Sequence, residues 1–103
     1  MTWTHFSDMY SGGSRKTAYD EIFIQGSGST ARGIFQDRFN RDPDNVTCNC
    51  CGGDYAINDD YATLEEATEY YRRGISLEEY LGKPNVLVIR AENGCGGACA
   101  CEC

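Results

Sequence analysis

The sequence predicts a small α+β domain: a three-stranded sheet with two to three helices on one face, a cysteine-rich metal-binding turn and a C-terminal tail. Three observations carry this. Short apolar runs with strand character alternate with segments whose apolar residues recur at helical spacing. Two capping boxes mark helix starts. The 7 cysteines fall into two tight groups, Cys48, Cys50 and Cys51, then Cys95, Cys99, Cys101 and Cys103. A chain of 103 residues makes one domain, read as residues 1–91 with a knuckle-like turn at 46–54, followed by a Gly- and Cys-rich tail at 92–103.

Residues 1–18 are polar and aromatic, and read as an ordered arm anchored by Trp3 and Phe6. Tyr19 to Gln25 reads as a strand with Ile22 and Ile24 on one face and Phe23 on the other. Gly26 to Gly28 breaks it, and Ser29 or Thr30 caps a helix to about Asn40, whose buried face is Ala31, Ile34, Phe35 and Phe39. Asp42-Pro43-Asp44-Asn45 is a stop and a turn. Tyr55 to Ile57 is a short strand. Thr63 and Glu66 form a capping box in which the Thr63 hydroxyl accepts from the third helical amide and Glu66 reaches back to the Thr63 amide. That helix runs to Gly74 with Leu64, Ala67 and Tyr71 on one face, and Glu69 is spaced to pair with Arg73. Ser76 and Glu79 repeat the box for a shorter helix with a Leu77, Tyr80, Leu81 stripe, ended by Gly82 and Pro84. Val86 to Ile89, unbroken and apolar within 85–91, suits a strand covered on both faces.

Charge and leader signals restrict the function classes. Lys+Arg number 9 against 16 Asp+Glu, a net charge of −7, which disfavours non-specific binding to nucleic acid or anionic lipid. No apolar run is long enough to span a membrane, and no secretory signal is expected in the first 25 residues. An odd number of clustered cysteines in a reduced compartment favours metal over disulfides or free thiols.

Cys48-Asn49-Cys50-Cys51-Gly52 contains Cys-x-x-Cys-Gly, the zinc-knuckle turn: two intervening residues let both thiolates face one ion, and the glycine admits the tight turn. The same spacing serves dithiol redox chemistry, but that use wants a helix N-terminus, and Gly-Gly-Asp with a strand-like segment follows instead. Zinc takes four ligands, so Cys48 and Cys51 are completed by Cys99 and Cys101, with Cys95 or Cys103 as the replacement. Iron accepts the same thiolate geometry. With His5, the only histidine, the potential ligands number enough for two ions, and the Cys-x-Cys spacing of the last residues resembles that of metallothioneins. His5 reads first as a packed or surface residue; as a ligand it would need a hydrogen-bonded second nitrogen, with Asp8 a candidate partner. Gly26-Ser27-Gly28-Ser29-Thr30 reads as a turn and cap rather than a phosphate loop, since no lysine follows. The carboxylates from Asp59 to Glu79 read as a solvated acidic face, and no catalytic set is recoverable.

Thr2-Trp3-Thr4-His5-Phe6, Asp8-Met9, Ser11-Gly12-Gly13, and Val46-Thr47-Cys48-x-Cys50-Cys51-Gly52-x-Asp54-Tyr55 together resemble a family of small bacteriophage proteins of unassigned activity. Ile34-Phe35, Arg38-Phe39, the helix at 64–68 and the strand at 86–90 agree with it; the cysteine-rich tail departs from it. The resemblance implies a phage-encoded protein acting in the host bacterial cytoplasm. The function expected is a non-enzymatic zinc-binding interaction module that binds a host or phage protein, as a host-takeover or anti-defence factor would. The alternatives are a nucleic-acid-binding zinc ribbon, opposed by the charge, and a thiol redox or metal-sequestering protein.

Overall fold

The computed structural model describes residues 2–13, 15–47 and 53–90. Its elements are β1 (Trp3–Asp8), β2 (Glu21–Gln25), α1 (Gly28–Phe39), β3 (Tyr55–Tyr61), α2 (Leu64–Arg72), α3 (Leu77–Leu81) and β4 (Val86–Ile89), with a single 3-10 turn over Ser11–Gly13. The fold is α+β, but the sheet has four strands, not three, in the order β3-β1-β2-β4. The additional strand is β1, which sequence reasoning took for an arm. The Cys48–Cys51 turn and the tail at 92–103 lie outside the described residues. Among the described residues no helix is long and apolar enough to cross a membrane.

β1 pairs antiparallel with both β2 and β3, so those two run parallel to each other with β1 wedged between them; β4 joins β2 in parallel. The chain therefore crosses from β2 over β1 to β3 through α1, then returns past β1 and β2 to β4 through α2 and α3. Crossovers of one hand that travel in opposite directions put their helices on opposite faces of the sheet. That is the arrangement found, and it corrects the expectation of helices on one face. On one side Phe6, Ile22, Ile24 and Tyr55 pack against Ala31 and Phe35 of α1. On the other, Trp3, Phe23 and Val86 pack against Leu64, Ala67 and Tyr80 of α2 and α3. Val86 to Ile89 is accordingly covered from both sides, although β4 is an edge strand and only Val86 is buried, the other three being half-buried.

The local signals hold with small shifts. Ser27, not Ser29 or Thr30, caps α1 by accepting the Thr30 amide, because Gly28 joins the first turn rather than the break. Asn40 ends that helix in the left-handed region at φ 53°, its N–H donating to Gln36 O at 2.8 Å. The Asp42 carboxylate accepts the Asp44 amide at 2.9 Å and makes the turn expected there. Thr63 Oγ1 accepts the Glu66 amide at 3.1 Å, and the Glu66 carboxylate reaches back to the amide of Ala62, one residue earlier than expected. Ser76 Oγ accepts the Glu79 amide at 3.1 Å. Arg73 sits at φ 52° as the cap of α2, outside the helical repeat, and makes no ion pair with Glu69. Arg72 instead closes the helix end, donating to Glu65 O, Ile75 O and Thr68 Oγ1.

Phe35 is fully buried, with ring centroids of Phe6 at 4.9 Å, Phe39 at 4.8 Å and Tyr55 at 5.0 Å. Phe35→Ala should cost about 3–5 kcal/mol in urea unfolding, whereas Phe39→Ala, half-buried at the rim, should cost clearly less.

Candidate functional site

Thr47 and Gly53 flank the first cysteine group in sequence, and the structure shows what joins the residues around them. Asp54 is the anchor; its carboxylate is fully buried. Oδ1 accepts the Thr47 amide at 2.9 Å and Oδ2 accepts Asn45 Nδ2 at 3.2 Å, with Arg41 Nη1 at 4.0 Å. The Asp54 amide donates to Asn45 O at 2.9 Å, so the two ends are joined through both side chain and backbone. Burial alone pushes the Asp54 carboxyl up, but hydrogen bonds from Thr47 and Asn45 and the Lys16 charge outweigh it and hold it below its usual range.

The platform extends to the loop after β1. The Met9 amide donates to Asp54 O at 2.9 Å. Gly12 lies against Thr47, where an added methyl would meet Cγ2 at 3.0 Å; its φ of +77° is a second reason for glycine. Asp8 organises this loop by accepting the amides of Tyr10 at 2.8 Å and Lys16 at 2.6 Å. Tyr10 Oη donates to Asp20, and Asn85 Nδ2 donates to the other oxygen of the same carboxylate at 2.8 Å, which ties the loop to the start of β4. Those two hydrogen bonds lower the Asp20 carboxyl.

Cys48, Cys50, Cys51, Cys95, Cys99, Cys101 and Cys103 all lie outside the described residues. His5 lies within them, fully buried in the middle of β1. Its ring stacks on Phe23 with centroids 4.4 Å apart and meets Tyr71 edge-on at 4.8 Å. Its Nε2 pairs with Glu21 Oε1 at 2.5 Å, and Ser7 Oγ donates to the other oxygen at 3.2 Å. The packed reading of His5 therefore holds, and the partner is Glu21, not Asp8, whose side chain faces the opposite side of the sheet. Among the described residues no three His, Asp or Glu side chains gather to hold an ion.

The glycine-rich entrance to α1 is also resolved. A methyl group on Gly28 would sit 2.4 Å from Asp59 Oδ2 and 3.0 Å from Arg32 Nη1. A carboxylate from β3 and the Arg32 guanidinium thus lie against the first residue of α1, and the Ser27 hydroxyl accepts the Thr30 amide there. Among the described residues, two concavities stand out. One, of about 260 Å3, opens where β2, β3 and β4 end, between Trp3, Gln25, Thr63, Leu77 and Arg90. Arg90 lies over the Trp3 ring at 5.5 Å, and Glu65 of the capped α2 terminus shares the rim, so the crevice presents no surplus of either charge. The other, of about 550 Å3, lies between α2 and the end of β3.

Sequence reasoning missed Asp54, which after two glycines looked like a turn residue; the only signal was an acidic residue directly before an apolar strand. It also missed the α2–β3 concavity, whose residues converge only in three dimensions. The chain matches no protein family, no curated protein and no solved structure.

Asp54→Ala should cost about 2–4 kcal/mol, since it strands the Thr47 amide and the Asn45 amide group. The folded carboxyl is a stronger acid than the unfolded one, so its contribution is complete above about pH 4 and is lost as acid protonates the folded form. Urea unfolding across pH 2–6 should show a steeper acid decline in the parent than in the variant.

Proposed function

We propose that the protein is a small non-enzymatic interaction module stabilised by a thiolate-bound metal, zinc or iron, encoded by a bacteriophage and acting in the cytoplasm of the infected bacterium on a host or phage protein. The observation that carries this is the buried Asp54 clamp. A turn whose ends are hydrogen-bonded together before any ion arrives presents Cys48 and Cys51 at lower ordering cost than a free loop would. The acidic surface and the likeness to small phage proteins support a protein rather than a nucleic-acid partner.

The fold also bears on which tail cysteines complete the site. Asp54 lies beside the end of β1, next to Met9, while Arg90 follows Ile89, which pairs with Ile24 near the start of β1. The described residues nearest the two groups in sequence, Asp54 and Arg90, lie at diagonally opposite corners of the sheet, across three strand spacings and most of the strand length, about 25 Å apart. An extended chain gains about 3.4 Å per residue, so Cys95 reaches about 17 Å from Arg90 and Cys99 about 31 Å. Cys99, Cys101 and Cys103 can meet the turn with slack, whereas Cys95 falls short unless the metal bonds bridge the remainder. That supports Cys48, Cys51, Cys99 and Cys101 as ligands ahead of any set with Cys95.

Elemental analysis of protein purified without added metal should return about one zinc or iron per chain. Cys51→Ser should lose the metal and destabilise the fold by several kcal/mol (~5), because binding and folding are coupled. Cys50→Ser and Cys95→Ser should retain it. No metal, or equal losses from all three variants, would sink this ligand set.

A further inference from the structure

The concavity between α2 and β3 contains none of the cysteines and is independent of whether they hold a metal. Its walls are Tyr61, Glu66, Ala67, Glu69, Tyr70 and Tyr71. Tyr70 is 75% exposed, with its ring edge-on to Tyr71 at 5.1 Å. An aromatic residue kept this far out of the core, beside two more rings, is a contact surface in search of a partner. Its electrostatics are one-signed. Glu69 pairs with no cation among the described residues, because Arg73 has left the helix. Glu66 uses one oxygen on the Ala62 amide and keeps the other. Burial, then the Glu21 charge, pushes the Tyr71 hydroxyl up.

We propose that this trough docks a basic polypeptide segment, with a Lys or Arg side chain laid on the Tyr61, Tyr70 and Tyr71 rings and its charge against Glu66 and Glu69. Aromatic faces attract cations through their quadrupole, and two carboxylates at the rim complete the recognition. A chain, rather than a free amine, fits for two reasons. A space of about 550 Å3 is larger than one basic side chain fills. In addition, β3 is an edge strand, so its outer backbone groups lie beside the trough for an extended segment to meet. Nucleic acid is repelled by the same carboxylates.

The test is fluorescence anisotropy with the full chain and a labelled decapeptide of alternating Lys and Ser, against an alternating Glu and Ser control, at low ionic strength. The basic peptide should bind and weaken as salt rises; the acidic one should not bind. Tyr70→Ala and Glu69→Gln, both on the exposed face of α2, should each weaken binding about fivefold or more with unchanged melting. Glu78→Gln removes the same charge from α3, outside the trough, and should bind as the parent does. Absence of binding, indifference to Tyr70→Ala, or equal losses from Glu69→Gln and Glu78→Gln would overturn the proposal. So would full displacement by a blocked single lysine, which would mark a small-cation site. Loss of the thiolate metal reading would leave this measurement unchanged, so the two can fail separately.

Discussion

The structure depends on burying a polar strand from both sides. β1 lies between β2 and β3 and under helices on both faces, yet it carries Thr4, His5 and Asp8, each buried. Buried polar groups are as a rule partnered, and the partners of these three, which His5 takes through Nε2 while its Nδ1 has none, fix their neighbours. Thr4 Oγ1 donates to Gly26 O at 3.1 Å, which sets the end of β2; His5 meets Glu21, which sets its start. Asp8 gathers the loop that follows. A slip of one residue would carry Phe6 to the side of α2 and His5 to the side of α1, breaking every one of these pairings together. The polar residues of β1 therefore specify register, while the apolar ones supply most of the stabilisation.

The cysteine platform is a consequence of that strand. Asp8 shapes the loop that brings Met9 to Asp54 and Gly12 to Thr47, and Asp54 then joins the ends of the segment that carries Cys48, Cys50 and Cys51. The first and last steps of this path, at Asp8 and at Asp54, are hydrogen bonds between a buried carboxylate and backbone amides. Such bonds to charged acceptors are stronger than those between neutral groups.

What could be read from the residues was what is encoded locally. Ser76 and Thr63 cap their helices as their spacing indicates, Asn40 stops α1, and the inward residues of all three helices are those at helical spacing. β1 escaped notice because both of its faces mix polar and apolar residues, so neither alternation nor an unbroken apolar run marks it. The second helical layer escaped for a different reason. Which face a helix covers depends on the direction of its crossover, a property of strand order that no local window contains. Val86 to Ile89 already carried the relevant mark, since a run without alternation needs cover on both sides. Of the site, Cys-x-x-Cys stands out by spacing, while the Asp54 anchor and the Tyr61, Tyr70, Tyr71 convergence depend on tertiary approach.

The placement of β1 also shapes how the chain can assemble during synthesis. It is made before every other element, but its second neighbour, β3, does not exist until more than half of the chain has been translated. In the interval, β1 and β2 form a two-stranded ribbon, marginal alone, that α1 can cover on the Phe6 side while Trp3 on the other side waits for α2 and α3. The growing chain therefore carries an uncovered apolar face on the Trp3 side until α2 and α3 follow, and its final consolidation waits on long-range pairings that close slowly.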